Sequence, residues 1–312
     1  MRVSVTGSNS AGSATASSAA TAVVGALPSA PAPSATPYAN NGFEGNIQTD
    51  VTTSPFYIAR SDGGGFSSAY WQAVTGFSGQ GLRLAVDSNL AYGSGNLGPL
   101  SFVGVDQGTA HTLPGESTWY RVRFKIPSSG FVGGYGEFQW LWEWHEQSPC
   151  DGNSTGFGLI DYHDGNPATG IGHMQLWFRP AGGNGNSPYY ERWVLPYPSN
   201  VIQLDHWYDI VVNVVWDTKA SNAGGRGAIS VWVDGAVAPL RQIVNTSDGD
   251  GPAWTNPHPF PTLYTDGCSG APDHPANGLY NYRRALSAGQ ASTIHFDDYT
   301  IGPTAASVGF TP

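Results

Sequence analysis

From about residue 80 onward, short windows of the chain alternate apolar and polar residues with the period of two that marks a half-buried β-strand. The windows are Gly81–Val86, Trp119–Ile126, Glu137–Gln147, Phe157–His163, His173–Arg179, Trp207–Trp216, Ala228–Asp234 and Thr293–Ile301. No window holds a helical period for more than two turns. Asp234-Gly235 sits between a strand window and Ala236-Val237-Ala238, which predicts a tight hairpin, because the favoured two-residue turn takes positive φ at both central positions. The pattern runs from Tyr38 to about Gly302 and predicts one large all-β domain, residues 37–312, built as a sandwich of two antiparallel sheets with long loops. Residues 1–36 read differently. From Ser8 to Ser34 they are almost only Ser, Ala, Gly, Thr, Val and Pro, with no charge after Arg2. So little apolar surface cannot offset the entropy of ordering, and a disordered linker is expected.

The strand windows also sort chemistry by face, since successive side chains point to opposite sides. In Glu137–Gln147, Phe138, Trp140, Trp142 and Trp144 share one side, expected to be the core. Gln139, Leu141, Glu143, His145 and Gln147 share the other. The window after it repeats the device, with His173, Gln175, Trp177 and Arg179 opposed to Met174, Leu176 and Phe178. Tyr190 and Arg192 are opposed to Trp193, and Tyr280, Tyr282 and Arg284 share a parity near the C-terminus. Such a face suits sugar recognition: aromatic rings cover apolar sugar faces, while amides and guanidinium forks bond hydroxyls and carboxylates. The plainer alternatives are an ordinary polar outer face and a tyrosine pair packed at a sheet edge.

Composition narrows the function classes. Charged residues are only 12% of the chain, with 13 Lys+Arg against 23 Asp+Glu and a net charge of -10. A nucleic-acid partner would call for a basic excess. No apolar run approaches the ~20 residues of a membrane span, and with 11 Trp the chain has ample material for a core. Cys150 and Cys268, each in a Gly/Asp-rich loop, fit one disulfide in an exported protein, worth ~3–5 kcal/mol; two free thiols are the alternative. Asp297-Asp298 is the first choice among several oxygen-rich segments compatible with a structural Ca2+. The scattered histidines argue against zinc.

Two resemblances add to this reading. Arg2–Ala14 resembles the last strand of bacterial immunoglobulin-like or fibronectin-type repeats, implying that the chain is one module of a longer secreted bacterial protein. The succession Trp119–Pro127, Trp144-His145-Glu146, His206–Trp216, Gly227–Gly235, Gly278-Leu279-Tyr280 and Phe296-Asp297-Asp298 resembles the heparin-lyase-type jelly-roll polysaccharide lyases, with glucuronan lyases similar in style. It covers roughly residues 80–302. The resemblance implies a concanavalin A-like β-jelly roll and β-elimination: a base takes the C5 proton of a uronic acid and the O4 leaving group departs with a proton. By matched position His145 and Tyr280 carry the reaction, with Tyr282 as fallback for the tyrosine. Substrate-binding candidates are Gln139, Glu143, Gln147, His173, Gln175, Trp177, Arg179, Arg192 and Arg284.

Relatives often place Gln two residues before the histidine, where this chain has Glu143. A carboxylate there favours the protonated histidine and repels an anionic substrate, which points to a sparsely charged uronate polymer of low sulfation. A monomer without a required cofactor is expected, its partner a polysaccharide and neither nucleic acid nor membrane. Two other readings stay open. A retaining glycoside hydrolase would need Glu143 and Glu146 on one face, and their spacing puts them on opposite faces unless a bulge intervenes. A non-catalytic glycan-binding module would account for the aromatic face and the linker.

Overall fold

A computed structural model describes residues 4–10, 12–17, 36–90, 99–130, 138–145, 156–162, 173–179, 191–195, 201–245, 249–263, 275–283, 286 and 288–312. The chain divides into two compact units, Met1–Pro33 and Ser34–Pro312. In the first, β1 (Ser4–Asn9) pairs antiparallel with β2 (Gly12–Ser17), and the Thr6 and Thr15 hydroxyls meet across the pair at 2.8 Å.

The second unit is all-β. It opens with β3 (Ala39–Asn41), β4 (Phe56–Arg60), β5 (Trp71–Thr75) and β6 (Gln80–Asp87). Then come β7 (Leu100–Val105), β8 (Ser117–Lys125), β9 (Phe138–His145) and β10 (Gly156–Tyr162). After β11 (His173–Arg179) and β12 (Glu191–Val194), the chain crosses to β13 (Tyr208–Val215) and β14 (Ala228–Val233). Three short strands, β15 (Ala236–Val237), β16 (Arg241–Gln242) and β17 (His258–Pro259), precede β18 (Ala276–Arg283) and β19 (Ala291–Gly302).

Two antiparallel sheets result, the jelly-roll sandwich expected from the alternation. One has eight strands in the order β16-β12-β11-β10-β9-β18-β7-β4. The other has nine, running β15-β14-β13-β8-β19-β6-β5 with β17 on β14 and β3 on β19. Every window predicted from sequence contains a strand. The hairpin at Asp234-Gly235 forms as expected, with φ of 51° and 81° and Val233 paired to Ala236. Among the described residues no helix is long and apolar enough to cross a membrane.

Between the sheets, Trp142, Trp144, Tyr120 and Trp216 are all at most 1% exposed and pack edge to face. Each large apolar group so buried stabilises the fold by roughly 1.5–3 kcal/mol. A polar strut runs through the same layer. The Gln139 amide donates to Asn281 Oδ1 and to Ser292 Oγ, both at 2.7 Å, and Asn281 donates to the carbonyls of Leu84 and Ser292. Ser292 and Leu84 belong to the nine-stranded sheet, so these bonds tie the sheets together. Asn277 does similar work, accepting from Trp142 Nε1 at 3.0 Å and from the Tyr299 hydroxyl at 2.7 Å. Buried polar groups in an apolar layer are tolerable only when bonded in this way.

Candidate functional site

The outer face of the eight-stranded sheet is set by register. Leu159 of β10 pairs with Trp142 of β9, but the next residue, Ile160, pairs with Trp140. Leu141 is therefore an extra residue, a β-bulge, and both Leu141 and Trp142 point into the core. Beyond the bulge the parity of β9 is reversed. Gln139, expected on the groove face, turns inward to the strut described above. Trp140, expected in the core, turns to the outer face opposite Tyr282. On the other side of the bulge Glu143 keeps the outward position predicted for it, and Trp142 and Trp144 keep the inward one.

One row of register-matched positions crosses seven strands: Tyr57, Gly104, Gly278, Glu143, Gly158, residue 177 and Arg192. Six strand spacings of about 4.8 Å make this row about 29 Å long. A second row holds Tyr282, Trp140, Ile160, Gln175 and Val194. Between the rows Tyr280 pairs with Phe102, inside the register shift that separates Leu279 from Tyr282. Irregularities of this kind re-aim side chains and gather beside active sites.

The glycines of the first row explain its shape. A Cβ on Gly278 would lie 1.9 Å from the Phe102 ring, and one on Gly104 would lie 2.3 Å from it. Phe102 can thus lie flat over both backbones, flanked by Tyr57 at 5.3 Å and Tyr280 at 4.5 Å between ring centres. Tyr57, Phe102 and Trp140 were not singled out from sequence as members of this face. In β7 the outward positions hold Phe102 and Gly104 and the inward ones Val103 and Val105, so no alternation is left to read.

Glu143 is a buried carboxylate on this face, 8% exposed. Burial, then the Glu143 charge, pushes the Tyr280 phenol well above its ordinary value. The shift makes Tyr280 still harder to deprotonate, so it is no ready base at neutral pH. Gln175 is fully buried on the same face, and Arg192 is half-buried at the far end of the first row.

His145 closes β9, its backbone paired opposite Ala276. The side chains of His145, His173, Trp177 and Arg179 lie outside the described residues, as do Gln147, Arg284, Cys150 and Cys268 entirely. Asp297 and Asp298 sit in the other sheet. Asp297 is buried, which pushes its carboxyl up, and it accepts three backbone N–H bonds, from Phe77, Ser78 and Asp298. Asp298 pairs with Arg123. A Ca2+ there would have to displace these donors, and the pair does not fit a cation site. Among the described residues no group of three or more His, Cys, Asp or Glu is placed to hold a metal ion.

No family model matches this sequence, and no curated protein matches it in sequence. Solved structures do match in shape. A family 7 alginate lyase superposes with a TM-score of 0.51 at 10% identity, over 85% of this chain and 100% of that one. An endo-β-1,4-glucuronan lyase from the fungus Trichoderma reesei gives 0.48 at 12% identity, over 88% and 98%. An alginate lyase from Pseudomonas aeruginosa gives 0.46 at 12% identity, over 77% and 88%. What this chain has in common with such polysaccharide lyases is the jelly-roll sandwich, the architecture that its sequence resembled.

Proposed function

We propose that the protein is an exported polysaccharide lyase that cleaves a uronic-acid polymer of low sulfation by β-elimination on the outer face of the eight-stranded sheet. The observation that carries this reading is Tyr280, a phenol that burial and then Glu143 push well above its ordinary value, set beside the Phe102 and Tyr57 rings on this face. Elimination needs a base for the C5 proton and an acid for the departing O4. Tyr280 suits the acid, with Tyr282, one outward position along β18, as its alternative. His145, two residues beyond Glu143 on β9, takes the base role. Arg192, four strands from Tyr280 across this face, binds a carboxylate farther along the polymer rather than the one beside the reacting C5. The enzyme acts as a monomer and without a required cofactor.

Among the described strand residues of this face, Glu143 is the single carboxylate, whereas a hydrolase of the usual kind works with two. The test is to incubate the protein with glucuronan, alginate and neutral β-glucans, following ultraviolet absorbance of unsaturated ends together with reducing ends. Unsaturated product from a uronate polymer, abolished by His145→Ala, is the expected result. Reducing ends without unsaturation, or binding without either, would replace the lyase with a hydrolase or a binding module.

A further inference from the structure

Cations are scarce in this chain, 13 in 312 residues, yet two of them and a histidine stand side by side on the outer face of the nine-stranded sheet. Arg83 of β6 lies directly opposite His295 of β19, and His295 directly opposite Lys125 of β8. Residues on either side of each, Leu82 and Leu84, Ile294 and Phe296, and Phe124, are core, so all three point outward. Arg83 and Lys125 thus stand two strands apart, with His295 between them. Among the described residues no carboxylate comes within ion-pair distance of Arg83 or Lys125. Arg83 makes only long bonds, at 3.3 Å to the Ala69 carbonyl, 3.5 Å to Gln72 and 3.4 Å to Thr293. Asp205 acts on His295, and its own carboxyl is pulled down by its hydrogen bonds from Ser128 and then by Lys125.

The row carries a cost. Burial first, then Lys125 and Arg83, pulls His295 down to about 4, and its buried Nδ1 has no hydrogen-bond partner. Next to the row are two aromatic rings. The Lys125 ammonium sits 4.9 Å from the Trp207 ring centre, and Phe77 meets Trp207 edge to face at 6.3 Å. Phe77 is 53% exposed. Its loop is nonetheless fixed, because Phe77 and Ser78 donate their N–H groups to buried Asp297 at 2.7 and 3.1 Å. Two partly exposed cations with no carboxylate at ion-pair distance among the described residues, beside an exposed aromatic on a fixed loop, suit an anionic, ring-bearing ligand.

We propose that this strip is a second, non-catalytic binding site for a carboxylated polysaccharide chain. Arg83 and Lys125 take a carboxylate, and the exposed part of the Phe77 ring, which also carries the Arg123 guanidinium at 4.0 Å, takes a sugar face. The identity of the ligand rests on the reading of the enzyme as a uronate lyase; the anion-plus-ring chemistry stands without it.

The test is calorimetric titration of Tyr280→Phe protein, in which turnover is suppressed, with a glucuronate or alginate hexamer. Two sites per chain are expected. Adding Arg83→Gln and Lys125→Gln leaves one, the lost site weakening by about tenfold or more, whereas Lys125→Arg retains both. The Gln pair, at partly exposed positions, leaves the melting temperature nearly unchanged, and in the otherwise native chain it leaves turnover of a short oligomer unchanged. An equal number of sites with and without the Gln pair overturns the proposal. So does equally tight binding of a neutral gluco-oligomer, or of a DNA oligonucleotide through the same residues. If the parent binds at a single site and the Gln pair abolishes it, this site stands and the lyase groove falls.

Discussion

The two outer faces of the sandwich treat charge and aromatic surface in opposite ways. On the nine-stranded sheet, Arg121 grips both carboxylate oxygens of Asp209 at 2.9 and 2.6 Å and bonds the carbonyls of Val308 and Gly309. Arg123 pairs with Asp298 and Asp209. The aromatic rings of Trp119 and Trp232 stack at 5.2 Å under Phe310 of the C-terminal segment. Away from the basic row, that face is finished: charges are neutralised and rings are covered. On the eight-stranded sheet Tyr57, Tyr280 and Tyr282 stay partly exposed, and a buried carboxylate raises the phenol next to it. The contrast separates a face whose charges are paired from one that keeps a buried carboxylate beside a raised phenol.

That contrast breaks if substitutions on one face have the effects expected of the other. The largest expected effect is on catalysis: Tyr280→Phe should cut uronate elimination by about 10²–10⁴ while leaving the melting temperature nearly unchanged, measured on the same preparation. Next, Arg121→Ala should cost about 2–3 kcal/mol in denaturant unfolding, through the lost bidentate pair and carbonyl bonds, with activity per folded molecule intact. Gly278→Ala should cost about 2 kcal/mol by driving a methyl into the Phe102 ring, and should weaken polymer binding with it. A Phe102→Ala background should remove most of that penalty, which a double-mutant cycle would reveal.

The smallest effect concerns pH. His295 has a folded pKa of about 4, below its unfolded value, so the unfolded chain binds more protons between the two. Stability therefore falls as pH drops from about 6.5 toward 4. Replacing His295 with Gln should flatten that acid limb by about 1 kcal/mol, after allowance for solvent screening of a partly exposed ring. An unchanged limb would place the acid sensitivity elsewhere.

Alternation was enough to predict the sandwich, because strands with one wet face print a period of two directly in the sequence. It misplaced Gln139 and Trp140 because a single bulged residue, Leu141, inverts the parity of everything on one side of it, and nothing in Gln-Trp-Leu-Trp marks the extra residue. Tyr280 and Glu143 were legible as outward positions. The aromatic floor was not, since β7 places Phe102 and Gly104 outside and valines inside, a strand apolar on both faces. The value of Gly104 and Gly278 lies in the atom they lack, and that emerges only when Phe102 is seen lying across them.

The strut of Gln139, Asn281 and Ser292 has a dynamic consequence. Because it bonds the strands beneath the groove to the opposite sheet, the amides of β9 and β18 should exchange with solvent only when the whole sandwich unfolds. The described part of that face is then as rigid as the core beneath it.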